Sequence, residues 1–108
     1  MTESNNIEIA NLKNLLEYQP KSVISRVLLK KSAGNITLFA FDQNEGLSEH
    51  TAPYDAFVLI LDGSAEITIS SIPYILNAND SITMPANQPH ALKAITPFKM
   101  LLVMIKSA

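Results

Sequence analysis

Cysteine is absent from the 108-residue chain. Disulfides, thiolate zinc sites, iron–sulfur clusters and cysteine nucleophiles are therefore excluded. A surplus of positive charge is also missing. Eight Lys and Arg stand against ten Asp and Glu, for a formal net charge of -2. Neutralising phosphates needs the opposite balance, so no nucleic-acid partner is expected. Long apolar runs are lacking: the longest, Ala56 to Leu61 and Met100 to Ile105, fall far short of a bilayer span. The opening stretch, Met1 to Asn6, has neither the basic nor the apolar region of a signal peptide. A cytoplasmic protein with no membrane partner is the expectation. No internal repeat, low-complexity stretch or long helical pattern is visible.

What is present describes a single globular domain. Hydrophobic residues make up 47% and charged residues 17%, which excludes intrinsic disorder. A chain of this length buries roughly two-thirds of its unfolded surface and can build one core without staples. Residues 1–20 read as an N-terminal arm, partly disordered. Within it Ile9, Leu12, Leu15 and Leu16 have helical spacing, which predicts a short helical turn closed by Pro20. Residues 21–108 read as the folded domain.

From Val23 onward the apolar period is two. Strands are predicted over Val23 to Lys30, Ile36 to Asp42, Leu47 to Thr51, Asp55 to Leu61, Ser64 to Ser70, Tyr74 to Leu76, Ser81 to Met84, His90 to Ile95 and Phe98 to Ile105. Turn residues separate them. Gly34 is read as a positive-φ turn residue, and Asp62-Gly63 as a hairpin. Ser71-Ile72-Pro73 is read as an interruption. Many short strands with regular turns predict an all-β sandwich or barrel.

Two segments go beyond a generic strand pattern. The first runs from Gly46 through His50, Ala52, Tyr54, Asp55 and Ala56 to Gly63. The second runs from Asn79 through Pro85, Asn87 and His90 to Ala94. Together they resemble the two motifs of the cupin superfamily, and with the flanking strands the resemblance covers about residues 22 to 105. It implies a double-stranded β-helix, a jelly-roll barrel. It also implies a metal held by three histidines and a glutamate. In this sequence the second histidine of the pattern falls at Ala52 and the glutamate at Ala56, so only His50 and His90 remain. Asn79 and Asn87 replace the usual glycines, which positive φ at Asn permits.

The candidate ligand pocket is therefore His50, Tyr54, Phe57, Met84, His90 and Met100, with His50 and His90 as the candidate metal ligands. Two imidazoles alone would hold one divalent zinc, iron, manganese or nickel ion loosely. Asp55 lies one residue from the expected carboxylate, where regular alternation turns it to the opposite face. It is read as a turn or cap residue. Met84, Met100 and Met104 are read as core or cavity lining, and Arg26 as an outer-face residue. The favoured reading is a small-molecule pocket around His50 and His90, with a small organic molecule as partner. The alternative is a metal-dependent oxygenase or isomerase that recruits a carboxylate. A homodimer is expected, paired through the arm and the first strand.

Overall fold

The computed structural model describes residues 7–106. In chain order it has a 3-10 turn, Leu12–Asn14, followed by nine strands. These are β1 (Val23–Lys31), β2 (Gly34–Phe41), β3 (Gly46–His50), β4 (Tyr54–Asp62), β5 (Ser64–Ile69), β6 (Ile72–Asn77), β7 (Ser81–Met84), β8 (His90–Ala94) and β9 (Phe98–Lys106). One sheet has the order β1-β2-β9-β4-β7 and the other β3-β8-β5-β6. Every pairing is antiparallel. The chain moves between the two sheets and rolls them face to face into the expected all-β jelly roll.

Alternation along each strand makes the core. Ala65, Ile67 and Ile69 of β5 point inward, and Glu66 and Thr68 point out. Val58 and Ile60 of β4, Phe41 of β2, and Phe98 and Met100 of β9 meet them from the facing sheet. Phe41 and Phe98 are cross-strand partners with parallel rings 4.4 Å apart. Both are fully buried in the core.

The short helical turn expected in the arm is a three-residue 3-10 turn, Leu12–Asn14, with no side-chain cap from Asn11 and too few residues to propagate. The arm lies along the outside of the five-stranded sheet, where the Tyr18 hydroxyl donates to Asp62 at 2.6 Å and Lys99 Nζ donates to the Lys13 carbonyl at 2.7 Å. Leu38 and Ala40 face away from the core side of Phe39 and Phe41, yet each is only 1% exposed. Lys99, the cross-strand neighbour of Ala40, fastens the arm beside them. Of the arm expected to be partly disordered, residues 1–20, residues 1–6 lie outside the described residues.

Three local features depart from the sequence reading. Gly34 is not a turn residue with positive φ. It lies inside β2, where a Cβ would collide with the Met104 carbonyl. Pro73 does not interrupt a strand. It sits within β6, opposite Thr68, on a strand at the sheet edge where its missing N–H does least harm. Finally, three bulges break alternation, one in β1 between Val27 and Leu29, one in β3 between Leu47 and His50 and one in β4 between Ile60 and Asp62.

Candidate functional site

The β3 bulge is what brings the site together. Leu47 pairs with Leu92 and His50 pairs with His90, so three steps along β3 match two along β8. Without the extra residue Glu49 would occupy the inward place next after Leu47. With it, His50 joins Leu47, His90 and Leu92 on the inner face. The His50 and His90 rings lie 4.3 Å apart, edge to face. Gly46 allows the close approach at the start of β3, since a Cβ there would strike the Leu92 carbonyl.

Both rings are held in the same way. Nδ1 of His50 lies 2.8 Å from the Ser48 carbonyl oxygen, and Nδ1 of His90 lies 3.0 Å from that of Gln88. A carbonyl only accepts, so each Nδ1–H is the donor. In the neutral ring the lone pair is therefore on Nε2. His90 is further positioned by the loop before β8. Asn87 takes φ 65°, and its N–H donates to the Ala52 carbonyl at 2.8 Å. Asp55 Oδ1 accepts the Ala86 N–H at 2.9 Å. The two motif segments are thus tied to each other directly behind the histidines.

The rings open onto a cavity of about 230 Å³. His50, Tyr54, Met84, His90 and Met100, all expected from the sequence, line it together. Phe57 does not, which corrects the expected pocket. It is 39% exposed, and alternation from the buried Ala56 and Val58 turns it to the outside of β4. Leu47, Pro85, Leu92, Leu102 and Met104 complete the wall with Ala52 and Ala56. Leu47, Leu92 and Leu102 were legible only as strand residues, because their place in the wall depends on cross-strand register. The thioethers have an orderly origin. Met84 and Met104 are the two cross-strand neighbours of Ala56, on β7 and β9. The position where the cupin pattern has a carboxylate is therefore a methyl group flanked by two methionines.

The metal implied by that pattern has a poor donor set. Among the described residues no three His, Cys, Asp or Glu side chains gather closely enough to hold an ion. Ala52 and Ala56 face the cavity with no donor atom, while Asp55 is engaged by the Ala86 N–H. Two Nε2 atoms do not make the three-ligand shell that a resident hard divalent metal needs. The residues present do not fit an intact centre of that kind.

A family model described as a cupin domain matches residues 37–105. Among solved structures, a conserved protein of unknown function from Streptococcus pyogenes is 38% identical, with 100% of this chain and 97% of that chain covered at a TM-score of 0.90. A cupin superfamily protein from Desulfitobacterium hafniense is 30% identical over 95% of this chain and 94% of that one, at 0.89. A cupin 2 conserved barrel domain protein from Leptotrichia buccalis is 37% identical over 90% of this chain but only 47% of its own, at 0.87. No functionally curated protein matches the sequence.

Proposed function

This chain belongs to the cupin family, and we propose that its barrel is a receptor for a small organic molecule, with His50 and His90 at the mouth orienting the ligand's polar end. The observation that carries this reading is the pairing of two imidazoles, 4.3 Å apart, at one end of a cavity whose remaining wall is Leu, Met, Ala, Pro and a single Tyr. An apolar concavity with a few convergent polar groups is the usual form of a small-molecule site. The metal-dependent oxygenase or isomerase is the weaker reading, since the carboxylate it would recruit is not in the cavity wall.

Methyl NMR of the methionine Cε groups tests the pocket, with toluene as an apolar probe. The expected result is saturable shifts of Met84, Met100 and Met104. Absence of any saturable shift up to the solubility limit of toluene overturns the receptor reading.

A cytoplasmic homodimer belongs to the same proposal. Ile7 and Ile9 on the arm are 92% and 103% exposed, and Val27, Leu29 and Ile105 present further apolar surface near the β1 edge. A second copy related by a two-fold axis is the partner that would cover both features. Light scattering at micromolar concentration should give twice the chain mass of 11.8 kDa, and a value of one chain mass counts against it.

A further inference from the structure

We infer that the ligand is a neutral hydroxylated arene, of the phenol or catechol class, with its ring among the methionines and its O–H donated to Nε2 of His50 or His90. This inference rests on the receptor reading and narrows it.

The chemistry of the mouth decides the polar end. Each imidazole spends its Nδ1–H on a backbone carbonyl, at Ser48 and Gln88, so each neutral ring can offer the cavity only an acceptor. The Tyr54 hydroxyl in the wall can donate as well as accept, but a ligand that meets the two rings must bring hydrogen-bond donors. No Lys or Arg lines the cavity, so nothing permanent there neutralises a carboxylate or a phosphate. No Asp or Glu lines it either, so nothing pairs with an ammonium. The donor that remains is an uncharged O–H or N–H. Two acceptors on adjacent rings suit two donors on adjacent carbons.

The walls decide the body. Leu47, Leu92 and Leu102 cannot satisfy polar atoms, so a sugar or other polyol would leave hydroxyls without partners. Met84, Met100 and Met104 add three polarizable thioethers. Sulfur–arene contacts are favourable, and unbranched Met side chains adapt to a flat ring. Size agrees with this choice. A cavity of roughly 150 Å³ lined by apolar side chains holds benzene, so about 230 Å³ holds one ring with a few added heavy atoms.

The test is a competition by methyl NMR and calorimetry on the full chain, with five probes: toluene, anisole, phenol, catechol and benzoate. Anisole keeps the oxygen of phenol and adds apolar area, but it has lost the donor. Phenol should bind up to about tenfold more tightly than anisole, the ratio expected for one net hydrogen bond gained, and catechol should bind at least as tightly as phenol. His50→Leu combined with His90→Leu should collapse phenol to the affinity of anisole while toluene binding persists. The anisole comparison needs no variant, so it stands even where the double variant fails to fold. Equal binding of phenol and anisole overturns the hydroxyl assignment and leaves the receptor reading intact. Benzoate binding more tightly than phenol overturns the neutral assignment. If toluene and all four oxygenated probes fail to bind, the receptor reading falls, and this inference with it.

Discussion

His50 faces His90 across the β3–β8 ladder although it lies three residues, not two or four, beyond the inward-facing Leu47. The bulge that permits this also fixes the rings, because the carbonyls of Ser48 and Gln88 capture Nδ1 on each side. The consequence is a testable tautomer. Long-range nitrogen–proton NMR of the neutral rings should show both histidines protonated on Nδ1. Nε2–H in both rings would contradict the hydrogen bonding and the acceptor role built on it. His50→Ala should cost less than about 1 kcal/mol in urea unfolding, since the ring is solvent-exposed and its removal leaves no buried void.

Tyr18 and Asp62 form the latch that holds the arm to the barrel, and its pH dependence has a definite sign. The Tyr18 hydroxyl is the main cause that holds the Asp62 carboxyl below its ordinary range; partial burial opposes this, and the Lys13 ammonium, 3.6 Å away, assists. The Tyr18 hydroxyl is itself pushed above its ordinary value of 10.0, first by burial and then by its bond to Asp62 and the charge there. A lowered carboxyl stabilises the fold above its unfolded pKa and loses that contribution as pH falls through the folded value. A raised phenol stabilises below its unfolded pKa and loses its contribution as pH rises through the folded value. Tyr18→Phe should therefore cost roughly 1 kcal/mol on a plateau between about pH 5 and 9. The deficit should shrink on the acid side as Asp62 protonates and again above pH 10. Chemical denaturation across that range checks it, and a deficit independent of pH would remove the latch.

The sheets were legible in the sequence because burial on one face writes itself as period two, clearest in Ala65, Ile67 and Ile69. The paired histidines were legible as a location through their motif context. The pocket wall was only half legible. Met84 and Met100 could be assigned to it, but Phe57 was misplaced because β4 is apolar on both faces, so composition carried no signal for direction. Leu47 and Asp62 show the other limit. Each stands next to a bulge, and one added residue reverses every later side chain without leaving a mark in the hydrophobic pattern. Gly34 shows a third limit, since a glycine needed for backbone approach looks in sequence like one needed for a turn.

The β5–β6 hairpin carries removable strain. Ser70 and Ser71 are the two residues of its turn, between the paired Ile69 and Ile72, with φ of 49° and 70°. A tight hairpin with both central residues at positive φ is the geometry that Asn-Gly or Gly-Gly fits, and a serine held there is strained. Ser71→Gly should stabilise the domain by about 0.5 to 1 kcal/mol despite glycine's greater freedom in the unfolded chain. The urea midpoint should rise with the slope unchanged, and a fall in the midpoint would show that the turn is not under strain.

Ala52 and Ala56 account for the missing donors, so putting donors back should rebuild a metal centre. Ala56 is 5% exposed between Met84 and Met104, so Ala56→Glu alone buries a carboxylate beside two thioethers. It should destabilise by several kcal/mol. Combined with Ala52→His it creates a set of three imidazoles and one carboxylate around the mouth. Stability of that double variant should then depend on metal, rising by about 2.7 kcal/mol at a free concentration one hundred times the dissociation constant. Thermal melts in chelator and in zinc or manganese provide the measurement. The variant should melt at a higher temperature with the ion, while the unmodified chain should melt at the same temperature in both. A double variant indifferent to metal would mean that His50 and His90 do not lie where the two new donors can join them.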